Sequence, residues 1–400
     1  MPVLQIYFWQ KCGIIYNGKT TKLNQADKEI WIMATEKWSV ERAWEWHNQS
    51  KWLRGCNFIP SDCCNRIDFW QSLNWEKHIA TADAELELAA SAGLNSVRMI
   101  LEFTVLDEEH DSFMQRFEEF LTVCDKHNIS VMVCFGNDCT VPKNAEYRAP
   151  HLGVQEFDWG YHGGRKNSPH GSNPGKIGYS LLDEPEIAER YFQYEKEIIT
   201  RYADDKRICV WDLFNEPGNS GRGEISVPHV KKMFEVARSC NPSQPLTTGV
   251  WHHPWAATPA ELTALELSDV ISFHSYGPYN SYIRVIGYLK KKYGRPILNT
   301  EWLHRILHDN VQQVFPLFYL EKIHCWHWGL VAGLSQTYEP WQSIWNRYEA
   351  GKTDLDFTKW QHDIFRANGK PYDPEEIRIF RYYSDLADGK ISEDTDIKDY

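Results

Sequence analysis

The chain has 400 residues, 42% of them hydrophobic, and a formal net charge of -12 at pH 7. That length suits one large α/β barrel with insertions or two ordinary domains. The acidic balance argues against nucleic acid as a partner, because phosphate binding needs a basic surface. Eighteen tryptophans and twenty tyrosines exceed what a core requires, and aromatic faces suit the apolar faces of sugar rings.

The N-terminal segment opens with an apolar run that is too short for a signal peptide and lacks a basic n-region and a small-residue cleavage site. No apolar stretch approaches the length of a membrane span. We expect a cytoplasmic protein with no membrane partner, or a secreted or periplasmic one if a native leader is missing. Residues 1–50 do not share the alternation of strand-like and helix-like segments that begins at Leu53. We expect them to form a helical extension packed on the outside of the domain that follows.

From Leu53 onward, strand-like and helix-like segments alternate eight times, which predicts parallel strands with crossover helices. Eight strands indicate closure into a (β/α)8 TIM barrel, which we place over residues 51–390 as the catalytic domain. The predicted strands are 53–58, 96–101, 130–135, 208–214, 246–250, 270–273, 296–300 and 324–330. The predicted helices are 75–92, 112–127, 183–202, 227–239, 259–267, 282–293, 311–322 and 374–387. Asp183 is expected to cap the third, and Pro316 is expected to interrupt the seventh.

A long segment, 137–182, separates the third strand from its helix and is rich in Gly, Pro, Asn, His and aromatic residues. Long loops at the C-terminal face of a barrel usually shape the substrate cleft. Residues 391–400 form an acidic tail that we expect to be mobile. The ten cysteines include no Cys-x-x-Cys pair, so we interpret them as reduced thiols and expect no structural zinc site.

Two glutamates stand at the ends of apolar runs that read as buried parallel strands. Glu216 ends the run that begins at Cys209, and Glu301 ends the run that begins at Pro296. In a (β/α)8 barrel the carboxyl ends of the strands form the active-site face. Two carboxyl groups there can share glycosidic bond cleavage, one protonating the leaving oxygen while the other attacks the anomeric carbon or activates a water.

The residues Asn215-Glu216-Pro217 are a weak signal alone, but their position at a strand end strengthens it. Preceded by Trp211-Asp-Leu-Phe, they resemble the acid/base signature of the clan A glycoside hydrolases. Over roughly Leu53 to Tyr372 the chain resembles glycoside hydrolase family 5, which includes cellulases and mannanases. The resemblance implies a carbohydrate substrate, no cofactor, and Glu216 and Glu301 as general acid/base and nucleophile.

The resemblance also implies substrate-binding roles for other residues. Arg98 matches an arginine beside the nucleophile, Asn215 the residue that binds the sugar 2-hydroxyl, and Trp328 the floor of the bond-cleaving subsite. His274 and Tyr276, two residues apart and thus on one side of their strand, match a pair that contacts both carboxyl groups. Arg98, His274 and Trp328 also fit as ordinary barrel or core residues.

The family often has a histidine after its third strand, where this chain reads Phe135-Gly-Asn-Asp-Cys. Asp138, or a loop histidine such as His162 or His170, is therefore expected to face the sugar instead. This departure leaves substrate selectivity open.

The main hypothesis is a retaining hydrolase of β-linked plant-type glucan, mannan, xylan or derived oligosaccharides. Two other classes of protein compete with it. A non-catalytic carbohydrate-binding barrel would not need both glutamates. A metal-dependent barrel hydrolase is suggested by His252-His253, but adjacent strand residues point to opposite sides, and we expect no metal site. An exo-acting β-galactosidase or β-mannosidase also stays open, and the long third-strand loop favours exo action if it closes one end of the cleft.

Overall fold

A computed structural model describes residues 36–139, 150–156, 162–164 and 181–400. Within them, eight parallel strands pair in chain order and close into a barrel, with β1 hydrogen-bonded to both β2 and β8. The strands are β1 Arg54–Asn57, β2 Ser96–Ile100, β3 Ser130–Asn137, β4 Ile208–Asn215, β5 Leu246–Val250, β6 Ile271–His274, β7 Ile297–Glu301 and β8 His324–Trp328. The predicted (β/α)8 fold is confirmed.

Helices precede the barrel, follow its strands and close the chain. They are α1 Val40–Gln49, α2 Arg66–Trp70, α3 Trp75–Ser91, α4 Phe103–Glu108, α5 His110–Lys126, α6 Pro185–Arg201, α7 Val227–Ser239, α8 Pro259–Leu267, α9 Tyr279–Tyr293, α10 Val311–Leu320, α11 Gln342–Glu349 and α12 Pro374–Ala387. Aromatic and aliphatic side chains on their inner faces pack against the outer face of the sheet and form the main core. Every strand is therefore buried on both faces, as a parallel barrel requires.

Most predicted elements differ from the observed ones by only one to three residues at each end, and two local expectations were wrong. α10 continues through Pro316. Pro316 has no backbone N–H to donate within the helix. It lies at a half-exposed position, where water can bond to the carbonyl oxygen that is left free. Asp183 does not cap α6, whose N-cap is Glu184, but instead accepts two hydrogen bonds from Arg222.

The segment before the barrel contributes α1, which lies beside the N-terminal ends of the strands. Trp38 and Ala43 pack in one buried cluster with inward-facing strand residues, among them Met132, Val210 and Trp326. The backbone N–H of Trp38 also donates to Asp269. Residues 1–35 of the predicted extension lie outside the described residues, and the domain assignment of residues 1–50 stays a prediction.

The interior of the barrel changes from apolar to polar toward the C-terminal ends of its strands. On β4, Val210 belongs to the apolar cluster, whereas Asp212, two residues later on the same face, is fully buried and pairs with Arg98 of β2. The two glutamates follow at the strand ends. The barrel thus places a buried ion pair directly beneath them.

The C-terminal tail contacts α12 at two points. The hydroxyl of Tyr382 donates to the carbonyl of Thr395, and that of Tyr400 donates to Asp385. The mobility expected of residues 391–400 stays a prediction. The cysteines of the described part of the chain are free thiols, and no helix there combines the length and the apolarity that crossing a membrane requires.

Candidate active site

Glu216 directly follows β4 and turns the chain into the loop above the barrel. Its φ of 50° lies in the left-handed region, which costs energy for a residue with a side chain and is typical of functional sites. Its backbone N–H donates to the carbonyl of Gly249 on β5 at 2.9 Å. The strained turn is thus fixed against the neighbouring strand, and the carboxyl group is held in the barrel mouth, 7% exposed.

Glu301 is the last residue of β7 and accepts hydrogen bonds at both carboxylate oxygens. Arg98 Nη1 donates to Oε1 at 3.0 Å, and the Tyr276 hydroxyl donates to Oε2 at 2.7 Å. A guanidinium and a phenol donating to one carboxylate favour its ionised form.

His274 joins the two glutamates. Its Nδ1 lies 2.9 Å from Glu216 Oε1 and 3.4 Å from Glu301 Oε2. One carboxylate oxygen of each glutamate and this nitrogen all lie within 4.8 Å of one another. Burial lowers the pKa of His274 to about 4, so the ring is neutral near pH 7 and Nδ1–H donates to Glu216.

Arg98 is a buried hub at the base of the site. Its guanidinium donates to Asp212 at 2.8 Å through Nε and to Asn57 at 2.7 Å through Nη1, in addition to Glu301. Nη2 donates to Asn215 Oδ1 at 2.6 Å. This bond fixes the Asn215 amide so that its Nδ2 faces Asn137, to which it donates one of its two hydrogens at 2.9 Å.

Asp138 does not take part in this cluster. Its Oδ2 accepts from the Gly218 backbone N–H at 2.8 Å and from the Ser226 hydroxyl, and Arg222 lies 2.9 Å from Oδ1. These contacts correct the expectation that Asp138 faces the sugar: its carboxylate is 2% exposed and binds the loop that follows Glu216. Asp138 therefore fixes the shape of that loop.

Trp328 ends β8 and is half-buried at the mouth of the barrel. The ring of His162 lies against it, with ring centroids 5.3 Å apart and planes at 54°. Of the two loop histidines named from the sequence, His162 is thus at the cleft, and His170 lies outside the described residues. Both rings line a pocket that reaches down to Arg98 and Asn57.

The two carboxyl groups differ in their neighbours. Burial raises the pKa of both, and the loss of hydration is the largest cause for each. The Arg98 cation and the Tyr276 hydroxyl oppose this rise of the Glu301 pKa at direct contact. Glu216 has neutral partners, His274 at Oε1 and Asn219 Nδ2 at Oε2. Direct contact with a cation thus distinguishes Glu301 from Glu216.

The sequence interpretation missed four residues of this network: Asp212, Asn57, Asn137 and Asn219. Asp212 gave a signal that could have been used, because a charge inside an apolar strand needs a buried partner. Asn57 and Asn219 gave no such signal, since asparagines are common in turns and loops for reasons unrelated to function.

The ligand atoms of Glu216, His274 and Glu301 are close enough to share a metal ion. A cation there would meet the guanidinium of Arg98, which already donates to Glu301, and the Nδ1–H of the neutral imidazole. His252 and His253 do not converge on one site, because the first contacts Glu261 and the second stacks on Trp255. We assign no metal site to these residues.

Sequence comparison decides the family of this barrel. The sequence model of cellulase (glycosyl hydrolase family 5) matches residues 55–313. The chain belongs to glycosyl hydrolase family 5. It is therefore a glycosyl hydrolase, with which a carbohydrate substrate is consistent. A search of curated protein sequences gave no significant match.

Solved structures share the barrel of this family 5 enzyme at low sequence identity. An exo-β-1,4-mannosidase from Opitutaceae bacterium strain TAV5 is 14% identical with a TM-score of 0.53, and the match covers 85% of this chain and 59% of that chain. A GH5_18 protein from Streptomyces cattleya, in complex with GlcNAc, is 12% identical with a TM-score of 0.53, covering 86% and 82%. At these identities the likeness shows the fold alone.

Gly249 tests how closely the family 5 site is packed. A Cβ at this position would overlap Nε2 of His274 and lie 3.0 Å from its Cε1. Gly249→Ala is expected to displace the imidazole from Glu216, lower kcat and cost about 1–3 kcal/mol of stability. Gly287→Ala on α9 is the matched control, because its Cβ would meet nothing within 4 Å. Equal kcat values for the two variants would contradict the packing argument.

The pH profile of the family 5 enzyme is expected to depend on Asn219. Burial raises the pKa of Glu216, and hydrogen bonds from the Cys139 thiol and from the Asn219 amide oppose this rise. Activity that needs a protonated Glu216 is lost as the pH rises through that pKa. Asn219→Ala should therefore move the alkaline limb of kcat/KM to higher pH and leave the acid limb in place. An alkaline limb that stays in place or moves to lower pH would show that Asn219 does not act on this carboxyl.

Proposed function

We propose that this chain is a retaining β-glycoside hydrolase in which Glu301 is the nucleophile and Glu216 the general acid/base. The carboxyl separation supports this most directly, since oxygens of the two glutamates lie within 4.8 Å of each other. Retaining glycosidases keep their carboxyl groups about 5–5.5 Å apart, whereas inverting ones need about 6.5–9.5 Å to admit a water.

In the first step Glu301 attacks the anomeric carbon while Glu216 protonates the departing glycosidic oxygen. The C–O bond to the aglycone breaks as the glycosyl ester on Glu301 forms. Arg98 and Tyr276 keep Glu301 ionised and aimed before attack, and buried Asp212 holds Arg98 in place. The neutral His274 orients Glu216 without stabilising its anion as an imidazolium would.

In the second step Glu216, now ionised, takes a proton from water, and the water oxygen attacks the same anomeric carbon while the ester bond to Glu301 breaks and releases its carboxylate. Two displacements at one carbon restore its configuration. Asn215 has a second amide hydrogen to donate to the sugar 2-hydroxyl, while its other contacts fix its orientation. Trp328 provides an aromatic face beneath the sugar ring.

The substrate class is a β-linked glycoside of the plant type: glucan, mannan, xylan or oligosaccharides derived from them. The exposed face of Trp328 and the amides around Arg98 suit a neutral sugar, which offers hydroxyl groups to polar side chains and C–H groups to aromatic rings.

Covalent trapping tests this proposal. Activated 2-deoxy-2-fluoro glycosides of the gluco, manno, galacto and xylo series slow the second step more than the first. Intact-mass spectrometry followed by peptide mapping should find one glycosyl adduct, on Glu301. An adduct on Glu216 would reverse the two roles, and a folded protein that forms no adduct with any of the four sugars would contradict the proposal.

A further inference from the structure

Tyr276 bonds the nucleophile but follows a different strand, so its position depends on how the ends of β6 and β7 are joined. Its phenol donates to Glu301 Oε2 at 2.7 Å, and Glu301 ends β7. One direct bond joins the two segments, because Ser275 N–H donates to the carbonyl of Glu301 at 3.0 Å. A second link runs through a carboxyl group that lies outside the catalytic cluster, that of Asp309.

Asp309 directly precedes the N-cap of α10 and is fully buried. Its Oδ2 accepts from the backbone N–H groups of Leu303 and His304 at 2.8 and 3.2 Å. The Tyr282 hydroxyl, on α9, lies 2.8 Å from the same oxygen. Oδ1 has no hydrogen-bond partner among the described residues, so the side chain acts there through Oδ2 alone.

The turn that Asp309 holds is strained. Leu303, two residues after Glu301, has a φ of 78° and is fully buried. This left-handed conformation is costly for a bulky side chain and persists only where the surroundings fix it. Because the N–H groups bonded to Asp309 begin at this residue, the carboxyl group fixes the direction in which the chain leaves the nucleophile.

Tyr282 carries the link across to the other strand. Its side chain is fully buried, and its hydroxyl lies between two oxygens that can accept its hydrogen, Oδ2 of Asp309 and the carbonyl oxygen of Ser275. Ser275 directly precedes Tyr276, whose phenol returns to Glu301. Together with the covalent chain, these hydrogen bonds form a closed ring that starts and ends on the nucleophile.

We propose that Asp309 is a positioning residue for the nucleophile: through Leu303 and Tyr282 it holds the Tyr276 phenol and the Glu301 carboxylate at their bonding distance. The inference rests on the proposed function and adds a residue outside the catalytic cluster on which the first step depends. Such a link matters because a displacement of about 1 Å at a reacting group can lower the rate about 100-fold.

Asp309→Ala removes all three contacts, and its effect should appear in the pH profile. Burial raises the pKa of Glu301, and the hydrogen bond from Tyr276 opposes this rise. Loss of that bond should raise the pKa further, so the acid limb of kcat/KM should move to higher pH and its maximum should fall at least about tenfold. Asp309→Asn keeps an oxygen that accepts from the two N–H groups and should restore most of both properties.

A second background shows whether the effect passes through the phenol. The charged and titratable groups that face Glu301 are Arg98 from β2, Glu216 from the end of β4, His274 from β6 and Tyr276 just after it. In Tyr276→Phe the phenol hydroxyl is already absent, so adding Asp309→Ala should shift the acid limb no further.

Asp269→Ala is the matched control. Asp269 is also a fully buried carboxyl group and accepts from the backbone N–H of Leu246, but it lies at the N-terminal ends of the strands. Its loss should lower the urea midpoint and leave the acid limb in place. Tyr282→Phe removes a single hydroxyl and should move the limb in the same direction as Asp309→Ala, which gives a result even where the alanine variant does not fold.

An acid limb that stays in place in Tyr282→Phe and in folded Asp309→Ala, or that moves equally in Asp269→Ala, would overturn the positioning role while the trapped adduct on Glu301 still forms. A full shift by Asp309→Ala in the Tyr276→Phe background would also overturn it, because Asp309 would then act by another route. Failure of the wild-type enzyme to form any adduct on Glu301 would overturn the proposed function and this inference with it.

Discussion

Glu301→Gly is expected to lower kcat/KM by at least about 10⁴-fold, because the double displacement loses its nucleophile. Added azide should restore turnover of an activated aryl β-glycoside. The anion would enter the vacated space below the anomeric carbon and displace the leaving group once, so the product would be the α-glycosyl azide. Mass spectrometry and NMR of the product measure this directly.

Glu216→Ala should behave differently. Aryl glycosides with good leaving groups need little protonation, so the first step survives while the second slows and the glycosyl-enzyme accumulates. Azide should here give the β-glycosyl azide. An α-azide from Glu216→Ala, or a β-azide from Glu301→Gly, would exchange the two assignments. Glu195→Gln, a substitution of a fully buried glutamate on α6, is the control and should keep wild-type kcat/KM.

Arg98→Met is expected to cost about 3–5 kcal/mol of stability as well as activity, because it leaves the carboxylates of Asp212 and Glu301 buried without their shared cation. Urea denaturation followed by circular dichroism gives the free energy of unfolding. The pKa of Glu301 should rise when the cation is lost, so the acid limb of kcat/KM should move to higher pH.

An exposed ion pair gives the matched control. Arg347 lies 2.9 Å from Asp354, and their side chains are 39% and 66% exposed. Arg347→Met should change the free energy of unfolding by no more than about 1 kcal/mol and leave the acid limb in place. Similar losses of unfolding free energy in the two variants would show that the buried Arg98 contacts contribute no more to stability than a surface ion pair does.

Much of the fold could be predicted because its strands and helices depend on local sequence patterns. Buried parallel strands read as short apolar runs, and the helices between them end at recognisable residues such as Gly294. The continuation of α10 through Pro316 could not be predicted, since it depends on which side of the helix meets water. Residues 329–372, which include α11, are held by bonds to loops far away in sequence, such as Leu334 N–H to Ser61 and Asp356 N–H to Ile306.

The candidate site could be predicted where strand ends impose it. Because the strands are parallel, residues in the C-terminal halves of β2, β6 and β7 and just after β4 converge at one mouth. Arg98, Glu216, His274 and Glu301 therefore meet there whatever the loops do. Asp138 shows the limit: it directly follows β3, yet its direction is set by Arg222 and Ser226, far away in sequence. Contacts between loops carry no signal in a single sequence.

The stereochemistry of the first-formed sugar distinguishes a retaining from an inverting mechanism. Hydrolysis of an aryl β-glycoside, followed by ¹H NMR within the first minutes, shows the anomer released before mutarotation mixes the two forms. The β-anomer is expected, since two displacements at one carbon through Glu301 retain configuration. Release of the α-anomer would contradict this expectation, because a single displacement by water would then replace the covalent intermediate.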